Sequence, residues 1–98
     1  MKKLFISQPI KDRTPAEIME ERQKAIDAVQ LLYHDTVEVL NPFYHDQPNH
    51  HPLWLLGRNL EFLSEADVVV FTPGWKNHKN CKIEQFCAME YGIEALEL

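Results

Sequence analysis

Residues 67–86 read DVVVFTPGWKNHKNCKIEQF. Val68-Val69-Val70-Phe71 is apolar at every position rather than at every second one. Such a run suits a strand buried on both faces, as in a parallel sheet covered by helices. Thr72-Pro73-Gly74 ends it, because proline has no ladder donor and glycine accepts turn backbone that other residues resist. Lys76, Lys79 and Lys82 follow within seven positions and lead to Glu84. A third helix is predicted to begin near Asn80 or Cys81, to run through Phe86 and Tyr91, and to stop at Gly92.

Working outward, Lys3–Ser7 reads as a short buried strand that ends at Gln8-Pro9. Thr14-Pro15-Ala16-Glu17 combines a hydroxyl cap, a proline at the first helical position and a glutamate that closes a capping box. Ile18, Ala25, Ile26, Val29, Leu32 and Tyr33 then keep the helical period, which predicts a first helix over about residues 15–33. Thr36–Leu40 reads as a second strand, stopped by Asn41-Pro42. Phe43–His51 is an irregular loop rich in His, Asn, Asp and Pro. Pro52 opens a second helix with Leu53, Leu56, Leu60 and Leu63 as its inner stripe, and Ile93–Leu98 forms a last short strand. The order βαβαβα(β) predicts an α/β fold, a single flavodoxin-like domain over residues 1–98 with about four parallel strands. Helix one is expected on one face of the sheet and the two later helices on the other.

Bulk composition narrows the function classes. The chain has 98 residues, 45% hydrophobic and 26% charged, which suits one globular core. A net charge of −5 argues against a nucleic-acid polymer lying across a broad surface, but leaves room for a small phosphorylated ligand held by local cations. No apolar run is long enough to span a bilayer, and the few apolar positions after Met1-Lys2-Lys3 are too short for a signal-peptide core. The expectation is a cytoplasmic protein without a membrane partner, its Cys81 and Cys87 reduced. Six positions apart on one helix, the two thiols point to different faces and make neither a disulfide nor a redox pair.

Ligands of open parallel sheets bind beyond the carboxyl ends of the strands, where the strand order reverses. Three proline-stiffened loops are expected at that edge: Ser7-Gln8-Pro9, Asn41-Pro42-Phe43-Tyr44 and Thr72-Pro73-Gly74-Trp75. Any one of them is ordinary turn punctuation; their convergence, with two aromatics among them, points to a site. Glu84, read as a first-turn residue, would be kept ionised by the helix dipole and oriented by backbone N–H groups. A fixed carboxylate of this kind can attack an electrophilic carbon, as in glycoside cleavage; the alternative is a routine acidic helix start. His45, Asp46, His50 and His51 share one loop, but adjacent histidines lack the spacing of a zinc site, so no metal and no cofactor is expected. Trp54 and Leu55 lie off the inner stripe of helix two, as surface apolars or as a dimer contact.

Leu4-Phe5-Ile6-Ser7-Gln8-Pro9, Ala66-Asp67-Val68-Val69-Val70, Gly74-Trp75, Cys81-x-x-Glu84 and Glu84-x-x-x-Ala88 together resemble the nucleoside 2-deoxyribosyltransferase-like superfamily. They are closest to a small bacterial and phage branch of it without a settled function. The resemblance covers nearly the whole chain and rests on the order and spacing of the motifs. It implies that Glu84 is the nucleophile that attacks C1′ of a deoxyribosyl group and releases the base, with transfer or hydrolysis completing turnover. Active relatives carry an aspartate eight residues before the strand aspartate, and that position here is Asn59, which hydrogen-bonds but does not readily relay a proton. Where relatives favour Ser and Gly before the nucleophile, this chain has His78 and Asn80. On this reading Asn59, Ser7 and Gln8 orient sugar and base, and Tyr44 or Trp75 stacks on the base. Pro9, Gly74, Cys81 and Asn80, which can adopt a left-handed conformation, line the pocket, while His78, Lys79 and Lys82 favour a 5′-phosphate. The expected partner is a nucleoside or nucleotide, and the expected assembly a homodimer or higher homo-oligomer. Asn59 also leaves open a non-catalytic module that binds a nucleotide-derived molecule, and a structural or regulatory partner with a vestigial pocket is a third possibility.

Overall fold

The computed structural model describes residues 1–43 and 51–98 of the chain. Four strands and three helices follow in the expected order. They are β1 (Lys2–Ser7), α1 (Pro15–Tyr33), β2 (Val37–Val39), α2 (Pro52–Ser64), β3 (Val68–Phe71), α3 (Lys79–Glu90) and β4 (Glu94–Glu97). A single 3₁₀ turn, Trp75–Asn77, precedes α3. The sheet is entirely parallel, in the order β2-β1-β3-β4. This is a flavodoxin-like α/β arrangement whose strand order reverses between β1 and β3.

Local chemistry places the helix starts. The Thr14 hydroxyl accepts from the Glu17 amide at 3.1 Å, and the Thr14 amide donates back to the Glu17 carboxylate at 3.2 Å. This reciprocal box holds Glu17 below its ordinary pKa, chiefly through the Thr14 backbone hydrogen bond. The helix ends at His34, which adopts the left-handed conformation (φ 54°). For α2 the cap is His51, whose Nδ1 accepts from the Leu53 amide at 3.0 Å. Asp67 caps the opposite, amino edge of the sheet by accepting from the Lys3 amide at 2.9 Å.

The pleat of the central strands divides the core into two layers. Leu4, Ile6, Val68 and Val70 pack against Ala25 and Val29 of α1. Phe5, Val69 and Phe71 point the other way, against Leu63 of α2 and Ala88 of α3. Helix one therefore covers one face and the two later helices the other, as the strand pattern requires. Each of the buried Val, Leu, Ile and Phe side chains among these contributes about 1.5–3 kcal/mol relative to exposure.

Three expectations change. Leu53 does not belong to the inner stripe of α2: it is 68% exposed, whereas Leu56 and Leu63 are buried. A helix that returns antiparallel to the strands starts at their carboxyl edge, so its first turn overhangs the sheet and has no core beneath it. The second change is β2, shorter than Thr36–Leu40, although the Lys2 amide still donates to the Thr36 carbonyl and the Leu40 amide to the Leu4 carbonyl, both at 2.8 Å. Third, α3 begins at Lys79, which makes Glu84 its sixth residue and places it in the second turn, not the first. No helix among the described residues is long and apolar enough to cross a membrane.

Candidate functional site

A cleft of about 340 Å³ opens at the carboxyl edge of the sheet. Its walls come from the ends of β1 and β2, Arg22 of α1, the 54–62 stretch of α2 and the start of α3. This is the volume range of small-molecule sites, at the topological position where such sheets bind ligands.

Glu84 forms part of the lining. The inner stripe of α3 is Cys81, Glu84 and Ala88, so helical spacing turns the carboxylate inward toward β1. It is only 2% exposed. Ser7, the last residue of β1, donates from Oγ to Glu84 Oε1 at 2.7 Å. Asn59 of α2 donates from Nδ2 to Oε2 at 3.4 Å. Both carboxyl oxygens are therefore held by side chains from different elements. The expected backbone N–H contacts and first-turn dipole do not operate, because the second turn spends its amides inside the helix. Burial pushes the Glu84 pKa from 4.5 up to about 7, against the lowering effect of the Ser7 and Asn59 hydrogen bonds. Permanent ionisation at neutral pH is thus replaced by a carboxyl group poised between its two forms.

The other expected residues divide into two groups. Gln8, Asn59, His78, Asn80 and Cys81 line the cleft with Glu84, and Ser7 reaches it through its hydrogen bond. The Cys81 thiol is buried beside Glu84, and desolvation raises its pKa to about 11, so it stays protonated. His78 is held below its ordinary pKa by desolvation first and then by the Lys79 and Arg13 charges. Its Nδ1 is buried and has no hydrogen-bond partner among the described residues.

Pro9, Gly74, Trp75, Lys79 and Lys82 are not brought to the cleft lining. Trp75 turns away: its ring lies 4.9 Å from that of Phe71, and its Nε1 donates to Glu97 Oε1 at 2.7 Å. Packing against Phe71 and pairing with Glu97 satisfy both its apolar ring and its donor away from the cleft lining. Gly74 makes this turn possible with φ 89°, and a Cβ there would sit 3.2 Å from Arg13 Nη2. Lys79 and Lys82 are exposed on the outer side of α3, because the helical period that turns Cys81 and Glu84 inward turns them out. Tyr44, His45, Asp46 and His50 lie outside the described residues. Among the described residues no group of three or more His, Cys, Asp or Glu side chains could hold a metal ion.

Several residues in and around the cleft take roles that a sequence reading does not give. Asn41, buried, acts as an extra strand residue: its Oδ1 accepts from the Ile6 amide at 2.9 Å and its Nδ2 donates to the Ile6 carbonyl at 2.7 Å. Trp54 and Leu55, off the inner stripe of α2, line the cleft together with Arg58 and Phe62. Arg58 pairs with Glu61 at 2.7 Å and lies over the Phe62 ring, 5.2 Å from its centroid. Arg22 occupies the buried stripe of α1 between Ile18 and Ala25, and a cation at a core position of the helical period was the available signal. Arg13 ties the loop after β1 to the loop after β3, donating to the Pro73 carbonyl at 2.7 Å and pairing with Glu21. Compared with protein-family models, with curated proteins and with solved structures, the chain finds no match in any of the three.

Proposed function

We propose that this chain acts on the N-glycosidic bond of a deoxynucleoside or deoxynucleotide, with Glu84 as the nucleophile. The observation that carries the reading is the Glu84 carboxyl, buried in the cleft with one oxygen held by Ser7 and the other by Asn59. In its ionised form Glu84 attacks C1′; the C1′–N bond breaks and the base departs with the bonding pair. Water, or a second base, then attacks C1′ of the glycosyl ester and releases the carboxylate. Ser7 and Asn59 fix the attacking oxygens, so little reorganisation accompanies the step. The reading carries with it a cytoplasmic domain without a cofactor, assembling as a homodimer or higher homo-oligomer.

Among the described residues that line the cleft, none is a ready proton source for the departing base. Among the described residues Glu84 is the only carboxyl group that lines the cleft, and desolvation holds the His78 pKa below its ordinary value. That observation favours a second reading, in which the cleft binds a nucleotide-derived molecule without cleaving it. Incubation with a panel of deoxynucleosides and 5′-monophosphates, with released base measured by chromatography, separates the two. Catalysis predicts release that rises with pH as Glu84 ionises near pH 7. Glu84→Gln should lower release by orders of magnitude while ligand binding persists. No release from any panel member, with binding unchanged or tighter in Glu84→Gln, would leave the binding module.

A further inference from the structure

We infer that Arg22 is the anion-recognising group of the cleft, and that the ligand presents an oxyanion, a phosphate or a carboxylate, to its guanidinium. The inference deepens the reading of this cleft as a nucleotide site and rests on it. It also moves the expected anion contact from the lysines of α3 to the opposite, α1 side.

Arg22 is 8% exposed and lines the cleft. Ile18, Ala25 and Val29 are its neighbours on the buried stripe of α1, so the position is one where an apolar side chain would ordinarily lie. Buried charges are normally paired, because removing an ion from water is costly unless an opposite charge or several hydrogen bonds replace the solvent. Among the described residues no carboxylate lies within ion-pair distance of this guanidinium. Its contacts are neutral: Nη2 donates to the Asn41 carbonyl, and Nη1 reaches Gln8 Oε1 at a long 3.5 Å. Desolvation lowers its pKa to about 10, which still leaves it charged at neutral pH.

The nearest acid on the same helix is committed elsewhere. Glu21 Oε1 accepts from Arg13 and, at 2.9 Å, from Gln8 Nε2. The Gln8 amide thus stands between the two, donating to the Glu21 carboxylate and accepting from Arg22. Glu84, the one carboxyl in the described lining, has both oxygens engaged by Ser7 and Asn59. Among the described residues three of the five guanidinium N–H groups have no partner, an arrangement suited to two oxygens of a planar or tetrahedral oxyanion. A full positive charge held in the wall of a cleft, with only neutral acceptors among the described residues and donors to spare, is a binding group waiting for its counter-ion.

The test measures binding by calorimetry and thermal shift for the full chain, in wild type, Arg22→Met and Arg22→Lys. The probes are a deoxynucleoside 5′-monophosphate, the matching deoxynucleoside, inorganic phosphate and acetate. The expected result is tighter binding of the monophosphate than of the nucleoside by wild type. Arg22→Met should weaken the monophosphate by about tenfold or more, the scale of a charge-assisted hydrogen bond, and leave the nucleoside unchanged. Arg22→Lys should keep part of the preference, and raised salt should erode it. Arg22→Met should also melt at or above the wild-type temperature without ligand, because it removes an uncompensated buried charge. Equal binding of nucleoside and monophosphate by wild type and both variants would overturn the inference while leaving a nucleoside site in place. Binding of phosphate or acetate that depends on Arg22, with no binding of either nucleotide probe, would keep the inference and sink the nucleotide reading. Should Arg22→Met fail to fold, Arg22→Lys decides: an undiminished preference for the monophosphate supports the inference, and loss of folding in both variants overturns it in favour of a structural arginine.

Discussion

Glu84 carries more consequence than any other residue. Its proton is held more tightly in the folded chain, at a pKa of about 7, than at the ordinary 4.5. The unfolded chain therefore releases that proton first as pH rises. Stability from this group is fully present below pH 4.5, falls across the interval up to about 7, and is lost above it. The difference corresponds to ~3 kcal/mol. Urea unfolding at pH 5 and pH 8 should show a decline of that order in wild type, on top of other groups. Glu84→Gln should flatten the decline and be the more stable protein at pH 8; an unchanged slope in the variant would remove burial of Glu84 as its cause. Asp35 and Glu17 act in the opposite direction, since their lowered values make their contributions vanish as pH falls. For Asp35 the first cause is its hydrogen bond from the amino terminus.

At the scale of elements, the edge strand β2 is the weakest part of the sheet, with three residues paired to β1. Asn41 extends it by satisfying both backbone groups of Ile6 through one side-chain amide. Asn41→Leu should leave two buried backbone groups unpaired and cost about 2–4 kcal/mol, with loss of hydrogen-exchange protection at the Ile6 amide. Retained protection there would mean that another group replaces the amide. Helix α3 shows how a shift of one or two residues in a helix start changes chemistry. Beginning at Lys79 places Glu84 beyond the reach of free N-terminal amides and puts it on the buried stripe with Cys81 and Ala88. The same phase turns Lys79 and Lys82 out to solvent.

For the whole molecule, the charge pattern around the cleft becomes a prediction. With Lys79 and Lys82 outside the lining, the double variant Lys79→Ala/Lys82→Ala should preserve the difference in melting temperature that a 5′-monophosphate and its nucleoside produce at equal concentration. Loss of that difference would return the anion site to the α3 lysines. The elements themselves were legible in the chain: the unbroken apolar run of β3, the Thr14–Glu17 box and the proline stops reflect interactions within a few residues, which sequence order records directly. The parallel sheet followed, since strands buried on both faces and joined through helices admit few arrangements. Helix phase at a boundary was less legible, because starting α3 at Lys79 rather than Asn80 or Cys81 depends on the loop before it and alters the setting of Glu84. Trp75 read as a ligand platform, and only the tertiary fold offers it Phe71 and Glu97. Sequence by itself thus determined the order of elements, the sheet and the candidate carboxylate. Folding alone decided that Glu84 meets Ser7 and Asn59, 77 and 25 positions away, and that Arg22 stands in the cleft wall with no carboxylate partner among the described residues. The physical reason is that burial and partnership, which set the charge state of a side chain, come from residues distant in the chain and near only in space.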